Sequence, residues 1–378
     1  MIYLDNNAST KLDPEAAAAF EEAAALAGNP SSVHSEGRRA RRVIEEARDE
    51  VARLVGATPE EIFFTSGGTE SNAMAILGTA AGRPGRVVAS GAEHPSVREA
   101  VARLSRQGNE TVAVNPEPSG ALDPGKLVAA AGPGTLLVTV MAASNEYGGL
   151  FPVREVAPAV HAGGALFHTD AAQAAGRIPI DVGEWGVDLL TLSAHKFHGP
   201  KGVGALYVRR GVTLQAHTPG GGQEKKLRGG TENTAGIAGL GAAALLARRR
   251  FGEAASIARL RDRLEAGILR SVENARVVGG GAPRLPNTSA LLFEGISGEA
   301  LLIRLVLEGV AVSVGSACSS GTLAPSPAIL SLGIPPAEAK SVVRFSLSRL
   351  TTQEEIDAAT EIVARVAAEA RMLQGRQT

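Results

Sequence analysis

The segment TLSAHKFHGPKGVGALYVRRG, residues 191–211, places a lysine between two apolar stretches of strand length. The first stretch (VDLLTLS, 187–193) ends shortly before Lys196, and the second (VGALYVR, 203–209) follows a loop rich in glycine. A lysine considered alone is most often an ordinary surface residue. A lysine held in a site at the end of a strand, however, can lose its proton more easily and form a Schiff base with a carbonyl group.

Apolar runs of strand length alternate with alanine-rich helical segments along the rest of the chain, which has 378 residues. This alternation is typical of an α/β fold with a largely parallel sheet. In the first half of the chain, further strands are predicted at 61–66, 86–90, 135–141 and 165–170, with helices at 96–107 and 153–164. Near the C-terminus, we predict strands at 288–295, 310–314 and 341–347 and helices at 298–309 and 352–373.

The pattern of the sequence changes near residue 240, where a long helical stretch at 236–272 is expected to lead into a second domain. We therefore expect residues 15–250 to form a large domain around the sheet. A smaller α+β domain would contain residues 1–14 and 251–378, including the loop that carries Cys318.

Composition argues against several classes of function. The 38 basic and 39 acidic side chains give a net charge of −1, which offers no overall attraction to nucleic acid or to an anionic membrane. The basic clusters at 37–42 and 247–250 are expected to be solvated helix faces, paired with the acidic segment 44–50. The N-terminus has no basic stretch followed by an apolar one, and no apolar run approaches the ~20 residues needed to span a bilayer. We therefore expect a soluble, cytoplasmic protein.

Polar side chains follow the predicted strands at the points where these strands end. Asp170 ends the strand at 165–170, where a carboxylate could either cap the next helix or pair with a ring nitrogen. Pyridoxal 5'-phosphate needs such a partner, because its protonated pyridinium ring is the electron sink for a substrate carbanion. His94 and Asn145 follow two further strands, where they could contact a planar cofactor or only make local hydrogen bonds.

The segment TSGGTESN, residues 65–72, is a candidate anion site. Gly67 and Gly68 would let backbone N–H groups approach an anion. Thr69 adds a hydroxyl at the predicted N-terminus of a helix, where the helix dipole favours a phosphate. The same turn could also be only a tight connection. Because open α/β sheets bind ligands at the carboxyl ends of their strands, polar groups at five successive strand ends together predict a ligand site there.

Cys318 is the only cysteine, which excludes an intrachain disulfide and a multi-thiolate metal site. A lone cysteine is usually a small buried residue. The surrounding segment AVSVGSACSSGTLAPS, 311–326, is rich in glycine and serine, which is typical of a mobile, solvated loop. Cysteines in such loops are more often kept for reactivity than for packing.

Over essentially its whole length, the sequence resembles the group I cysteine desulfurases, in the class V branch of fold type I pyridoxal-phosphate enzymes. The resemblance is carried by long motifs in the order typical of that family, including YLDNNAST, GNPSSVH, FTSGGTESN, AEHPSV, SNEYG, FHTDAAQAAGRIPID, LSAHKFHGPKGVGALYVRRG, GGGQEKKLRGGTEN, VGSACSSGTLAPS and VVRFSLSR. It implies a large cofactor-binding domain with a mainly parallel seven-stranded sheet flanked by helices, a smaller C-terminal domain, and a homodimer.

Roles for individual residues follow from the same resemblance. Lys196 would bind pyridoxal 5'-phosphate covalently, Asp170 would pair with the pyridine nitrogen, and His94 would stack on the ring and transfer protons. Further cofactor contacts would come from Asn145 and Gln173 at the phenolic oxygen, and from Gly68, Thr69, Ser193, His195 and Thr231 of the second subunit at the phosphate. Arg344 would clamp the carboxylate of the substrate L-cysteine, and Asn29 would line the substrate pocket.

The implied reaction moves sulfur from L-cysteine to the thiolate of Cys318, leaving L-alanine and a persulfide. A sulfur acceptor or an iron–sulfur scaffold protein would then receive the sulfur, as in iron–sulfur cluster assembly or tRNA thiolation. The chain departs from the family pattern at Val314, Tyr147 and Lys226, among other positions, but no departure removes a cofactor contact.

Three alternatives stay open on the sequence. The first is another class V enzyme, such as an aminotransferase, selenocysteine lyase or epimerase, in which Cys318 is incidental. The second is a metal hydrolase using HTD (168–170) and HKFH (195–198), although no metal site is our first expectation. The third is a binding module that keeps the fold of an inactive enzyme.

Overall fold

A sheet of seven strands forms the centre of the chain, as counted over the residues that the computed structural model describes, 1–314 and 324–374. Cys318 lies outside these described residues. In chain order, the strands are β1 (Ile2–Tyr3), β2 (Ile62–Thr65), β3 (Arg86–Ser90), β4 (Glu110–Val114), β5 (Thr135–Thr139), β6 (Leu166–Asp170), β7 (Leu189–Ser193), β8 (Gly204–Val208), β9 (Ala275–Val277), β10 (Thr288–Phe293), β11 (Val310–Ala311) and β12 (Val342–Ser346).

Helices follow most of these strands. In chain order, they are α1 (Pro14–Ala24), α2 (Ser35–Val55), α3 (Gly68–Ala80), α4 (Pro95–Arg106), α5 (Pro124–Ala130), α6 (Val153–Ala162), α7 (Val182–Trp185), α8 (Thr234–Arg249), α9 (Ala254–Ser271), α10 (Gly298–Leu307), α11 (Pro327–Leu330), α12 (Pro336–Ala339) and α13 (Gln353–Gln374). Within residues 1–314 and 324–374, no helix combines the length and the apolar composition needed to cross a bilayer.

The strand order in the central sheet is β2-β8-β7-β6-β5-β3-β4. Neighbouring strands are parallel from β7 to β4, whereas β8 is antiparallel to both β7 and β2. The strands β2, β3, β5, β6 and β7 therefore run in one direction and end at the same edge of the sheet. This mainly parallel sheet confirms the predicted fold class.

Helices cover both faces of the sheet, which explains why its inner strands are buried along almost their whole length. Alternate side chains of one strand enter different cores: Leu190 of β7 packs on the side of α2 and α8, and Leu189 packs on the side of α3 and α4. On the first side Leu190 joins Ile44 and Leu240, and on the second side Leu189 joins Met74.

The last third of the chain has its own core, to which the first residues also belong. β10 pairs antiparallel with β9 and β12, and Leu264, Phe293 and Phe345 are fully buried between this sheet and the helices around it. Leu4 is buried in the same core, and Ile2 of β1 pairs with Val310 of β11. The N-terminal segment therefore runs from this second core towards the edge of the central sheet.

The prediction of one continuous helical stretch at 236–272 is wrong. α8 ends at Arg249, α9 begins at Ala254, and a short 3-10 turn, Phe251–Glu253, separates the two helices. Gly252 lies in this turn, and glycine is a poor helix former. The strand predicted at 310–314 is also shorter than expected, since β11 ends at Ala311.

Arg48 differs from its expected environment. The basic cluster at 37–42 is expected to be a solvated face paired with the acidic segment 44–50, and Arg41 does pair with Glu45 at 3.4 Å near the surface. Arg48 instead is buried, with its guanidinium bonded to both carboxylate oxygens of Glu224 at 2.8 and 2.9 Å and stacked on the ring of Phe64. This pair could not be predicted, because Glu224 is 176 residues from Arg48 in the sequence.

Candidate active site

A cavity of roughly 530 Å³ opens at the edge of the central sheet where its parallel strands end. It collects ten of the residues that the sequence analysis singled out, namely Gly67, Gly68, Thr69, His94, Asn145, Asp170, Gln173, Ser193, His195 and Lys196. They come from the ends of five different strands, as expected for an open α/β sheet. Neither Asn29, Thr231 nor Arg344 lines this cavity within the described residues.

Lys196 lies in a 3-10 turn, Ala194–Lys196, directly after β7. Its Nζ donates hydrogen bonds to the backbone oxygens of Asn7, at 2.7 Å, and Ala8, at 3.0 Å. Burial and the positive charges of Arg344 and Arg177 lower the pKa of Lys196 to about 8. Near neutral pH, this amine is therefore neutral, and so nucleophilic, much more often than an ordinary lysine.

Asp170 ends β6 with its carboxylate held by two donors. Oδ1 accepts the backbone N–H of Ala172 at 2.9 Å, and Oδ2 accepts the side-chain amide of Asn72 at 2.7 Å. Asp170 is only 7% exposed and borders the cavity. A carboxylate fixed in this way can face a positively charged ring nitrogen in the cavity.

His168, two residues before Asp170, is a buried neutral support for the sheet. Its Nδ1 and Nε2 are 2.8 Å from Thr139 Oγ1 and 3.1 Å from Thr191 Oγ1, which lie on the neighbouring strands β5 and β7. Burial lowers the pKa of His168 to about 4, although the charge of Asp170 opposes this effect. The imidazole thus connects three strands below the site without carrying charge.

His94 caps the N-terminus of α4 at the cavity wall. Its Nδ1 accepts the backbone N–H of Ser96 at 3.2 Å and is 2.8 Å from the Ser96 hydroxyl. Burial lowers the pKa of His94, and the charges of Lys196 and Arg98 act in the same direction, against the charge of Asp170. A neutral imidazole beside a cofactor ring can both stack on it and exchange protons.

An anion cradle lies at the N-terminus of α3. Gly67 has φ +149° and allows β2 to turn directly into a helix of 13 residues, which leaves the first backbone N–H groups of α3 facing the cavity. Thr69, Ser193 and His195 add side chains to the same wall. The helix N-terminus, free N–H groups and hydroxyls together form the kind of site that binds a phosphate.

Asn145 and Gln173 supply amides at the cavity wall. The side-chain oxygen of Asn145 is buried and has no hydrogen-bond partner among the described residues. Gln173 donates to the backbone oxygen of Asn7 at 3.0 Å and accepts from Arg177 at 2.7 Å. A buried amide without a partner costs free energy unless a bound group satisfies it. Asn145 is therefore the clearest sign that this wall is built around a ligand.

Arg344, on β12, reaches the site from the second core. Its Nη2 pairs with Asp5 Oδ1 at 2.7 Å, and its Nη1 donates to the backbone oxygen of Asn145 at 2.9 Å. Its Nε is buried without a partner among the described residues. By contrast, Asn29 is exposed and bonds the backbone N–H of Ser31 at 2.9 Å, and Thr231 is exposed.

Comparison with known proteins shows the family of the chain. Residues 2–359 match the family model described as Aminotransferase class-V. The chain belongs to the class-V aminotransferase family. Curated relatives in this family include proteins named cysteine desulfurase from Cereibacter sphaeroides, 46% identical over 98% of this chain and 97% of the relative, and from Klebsiella pneumoniae, 46% identical over 94% of this chain and 90% of the relative.

Solved structures point to the same group of class-V proteins. A NifS-like protein superposes with a TM-score of 0.89 at 33% identity, covering 97% of this chain and 99% of the other. A structure titled SspA in complex with cysteine has a TM-score of 0.83 at 32% identity, covering 93% of this chain and 100% of the other. Within the class-V aminotransferase family, the chain therefore groups with the cysteine desulfurases.

Three residues that form hydrogen bonds with the predicted site residues were not singled out from the sequence. Asn7 accepts from Lys196 and Gln173, Asn72 donates to Asp170, and Ser96 contacts His94. They lie in the motifs YLDNNAST, FTSGGTESN and AEHPSV. Each one forms a hydrogen bond with a residue that was predicted, but no local sequence pattern marks the residue itself. Tyr147, a departure from the family pattern, does not line the cavity and is fully buried against Phe151.

The histidines considered for a metal hydrolase have separate partners. Within the part of the chain that the structure describes, no three His, Cys, Asp or Glu side chains come together in a group that could hold a metal ion. His195 Nδ1 is 3.2 Å from Ser9 Oγ, and His198 Nδ1 is 2.8 Å from the backbone oxygen of Lys11.

The described residues on either side of Cys318 are attached beside the site. Before it, Ser313 exchanges two backbone hydrogen bonds with Arg344, at 2.7 and 3.1 Å. After it, the Ser326 hydroxyl donates to the buried carboxylate of Glu146 at 2.6 Å, next to Asn145. Cys318 is therefore only five residues from a residue bonded to Arg344.

Proposed function

We propose that the protein is a pyridoxal 5'-phosphate-dependent cysteine desulfurase that transfers the sulfur of L-cysteine to Cys318. The observation that carries the proposal is the meeting of three features in one cavity: the amine of Lys196 with its lowered pKa, the fixed carboxylate of Asp170, and the anion cradle at the start of α3. Each feature matches one part of the cofactor, namely its carbonyl carbon, its ring nitrogen and its phosphate.

The remaining residues support the fit of the cofactor. The amide oxygen of Asn145, which has no partner among the described residues, suits the phenolic hydroxyl, with Gln173 beside it, and His94 offers a flat neutral ring for stacking. Bound there, pyridoxal phosphate would supply the electron sink that stabilises a negative charge at the substrate Cα. Asp170 would keep the proton on the ring nitrogen, and His94 would move protons at the substrate.

Arg344 is the proposed partner of the substrate carboxylate. Its guanidinium is rigid, always charged and already held at the site by Asp5 and Asn145. The buried Nε without a partner among the described residues leaves a donor for an incoming anion. Asn29 stays a proposed pocket residue, although in the single subunit it is exposed.

The sulfur step needs a thiolate that is not part of the cofactor. We propose that Cys318 attacks the sulfur of bound L-cysteine, so that the Cβ–S bond breaks and an S–S bond forms. The Cβ atom gains a proton and becomes the methyl group of L-alanine, while the transferred sulfur remains on Cys318 as a persulfide. The substrate carbon is reduced and the sulfurs are oxidised, so no external oxidant is required.

The proposed partners follow from this product. A persulfide must be passed to a nucleophilic acceptor, which we propose to be a sulfur-acceptor protein or an iron–sulfur scaffold protein. We also propose a homodimer in which Thr231 of one subunit completes the phosphate site of the other.

Product analysis tests the function directly. Incubation of the purified protein, loaded with pyridoxal phosphate, with L-cysteine and a thiol reductant should give equal amounts of L-alanine and sulfide. Without the reductant, mass spectrometry should find one additional sulfur on the peptide that contains Cys318. The Cys318→Ser variant should still change the cofactor absorbance on adding L-cysteine, but should form alanine and sulfide about 100-fold more slowly or worse.

The same measurement separates the alternatives. Full turnover by Cys318→Ser would assign the site to another class-V reaction in which the thiol is incidental. The Lys196→Ala variant provides the control for non-enzymatic release, because it lacks the amine that binds the cofactor carbonyl.

A further inference from the structure

A chain of hydrogen bonds joins Asp170 to His94 through two side chains. The amide nitrogen of Asn72 is 2.7 Å from Asp170 Oδ2 and 2.9 Å from Ser96 Oγ. Ser96 Oγ is in turn 2.8 Å from His94 Nδ1. Asn72 is only 1% exposed, so these contacts do not compete with water. The chain connects two residues that bear on different parts of the cavity.

The direction of the bonds follows from the chemistry of Asp170. An ionised carboxylate can only accept hydrogen bonds, so the atom of Asn72 that faces Asp170 is its NH₂ group. The second hydrogen of the same NH₂ group then points to Ser96 Oγ. Ser96 Oγ accepts this hydrogen through one lone pair, so it can offer His94 either its proton or its second lone pair.

The two donors of Ser96 decide which nitrogen of His94 carries a proton. The backbone N–H of Ser96 already points at Nδ1, at 3.2 Å, and cannot act as an acceptor. The Ser96 hydroxyl, oriented by Asn72, donates to the same nitrogen. Nδ1 is thus an acceptor from two donors, and the proton of the neutral imidazole resides on Nε2.

We propose that Asn72 and Ser96 are positioning residues that keep His94 neutral, with its proton on Nε2, by directing two donors at Nδ1. Protonation of Nδ1 would require the Ser96 hydroxyl to rotate, so that Oγ accepts from Nδ1 as well as from Asn72, and would still leave the Ser96 N–H facing a proton. The arrangement keeps His94 ready to exchange a proton through Nε2 alone. This inference rests on the proposed function only in giving His94 a role in proton transfer.

Charged groups on three elements also act on His94. Asp170 at the end of β6 favours its protonation, whereas Lys196 after β7 and Arg98 on α4 oppose it. These charges stay in place when Ser96 or Asn72 is replaced, so a change in the titration of His94 in those variants reports the hydrogen bonds. Asn72→Ala also removes a hydrogen-bond donor from Asp170. This loss favours protonation of His94, as the loss of the donor to Ser96 does.

Nitrogen-15 NMR of the holoenzyme labelled in its seven histidines tests the tautomer. The signals of His94 are identified by their loss in His94→Gln. We expect Nε2 to be protonated and Nδ1 to be unprotonated at pH 7.5. A proton on Nδ1 of the neutral ring would overturn the proposal.

Titration of the same signals tests the two positioning residues. Ser96→Ala and Asn72→Ala should each raise the pH at which His94 titrates by about 0.5 to 1 unit, because each removes a bond that favours the neutral ring. Ser96→Thr keeps the hydroxyl and should titrate like the wild type. Ser71→Ala is the matched control, since Ser71 is a buried serine of α3 whose hydroxyl is 2.8 Å from Thr65 and does not contact His94.

The outcomes distinguish this proposal from the proposed function. An unchanged His94 titration in Ser96→Ala would refute the positioning role, even if the wild type forms alanine from L-cysteine. Shifted titrations in a protein that forms no alanine would support the positioning role and refute the desulfurase. If Asn72→Ala does not fold, the pair Ser96→Ala and Ser96→Thr still decides the question.

Discussion

Burial and two arginines prepare Lys196 for covalent chemistry. An ordinary lysine is almost fully protonated near neutral pH, and its ammonium group is not a nucleophile. In this site, burial together with Arg344 and Arg177 lowers the pKa of Lys196 to about 8. Asp170 works against this effect, since its negative charge favours the ammonium. Arg344, the proposed partner of the substrate carboxylate, and Arg177, which bonds Gln173, thus also lower the pKa of Lys196.

Asp170→Asn tests whether the charge of Asp170 matters apart from its shape. The amide has the same size, but it cannot keep a proton on the ring nitrogen, so we expect alanine formation from L-cysteine to fall about 10²- to 10³-fold. The cofactor should stay bound, because Lys196 and the anion cradle are unchanged. Alanine release and cofactor absorbance measure the two effects separately.

The control is Asp123→Asn, at the N-cap of α5, where Asp123 accepts the backbone N–H of Gly125 and does not line the cavity. Asparagine is an equally good N-cap, so this variant should keep wild-type activity. Activity of Asp170→Asn within about threefold of the wild type would argue against an electron sink that depends on this carboxylate.

The positioning residues show where sequence analysis stops. Lys196, Asp170 and His94 could be singled out because each has a reactive side chain at the end of a predicted strand. Asn72 and Ser96 have ordinary polar side chains. Asn72 is 98 residues from Asp170 along the chain and 24 residues from Ser96. Such bonds become visible only when the strands are assembled.

Strand β6 carries both a site residue and a neutral histidine below it. His168 would have a pKa of about 6.5 in the unfolded chain, whereas burial lowers its pKa to about 4 in the folded protein. The unfolded state therefore binds a proton more readily between these two values. The contribution of His168 to the free energy of unfolding is fully present above pH ~6.5. It falls as the pH drops below this value and is lost at about pH 4.

The variant His168→Gln should make stability less sensitive to acid. Between pH 7 and pH 5 the free energy of unfolding of the wild type should fall by about 2 kcal/mol more than that of the variant. Urea unfolding at both pH values, at fixed protein and cofactor concentrations, measures this difference. The exposed His217 provides the control, and His217→Gln should keep the pH dependence of the wild type. Equal pH dependence in His168→Gln and wild type would contradict the assignment.

Most elements could be predicted because their apolar patterns are strong. β3 was predicted with the bounds that the structure shows, and β7 is buried at each of its positions. β4 was missed because it lies at the edge of the sheet, where Val114 is the one buried residue of the segment ETVAV. The break at Gly252 was missed because residues on both sides of it continue a helical pattern.

The site lies where three parts of the molecule meet. The central sheet supplies Asp170 and Lys196, β12 of the second core supplies Arg344, and the N-terminal segment supplies the backbone oxygens of Asn7 and Ala8. Asn7 also bonds Thr288 of β10 at 2.9 Å. The N-terminal segment thus connects the amine of the central sheet to the second core.

Thr231 lies in a segment that is firmly attached but does not reach the cavity of its own subunit. Shortly before it, Glu224 is buried against Arg48 and also accepts the backbone N–H of Phe64 at 2.8 Å. Gly229 donates to the backbone oxygen of Thr218 at 2.9 Å. Thr231 itself is exposed, which is consistent with a contact to a second subunit.

Hybrid dimers test whether Thr231 acts in the other subunit. Lys196→Ala and Thr231→Ala homodimers should both be impaired, the first because it lacks the amine and the second because each phosphate site lacks a hydroxyl. In a hybrid of the two chains, one site combines an intact Lys196 with the partner's intact Thr231. Unfolding, mixing in equal amounts and refolding should therefore restore about a quarter of the wild-type sites.

Alanine formation from L-cysteine measures the recovery, and separately refolded homodimers are the control. If Thr231 instead serves its own subunit, no site in the hybrid is intact and mixing restores nothing.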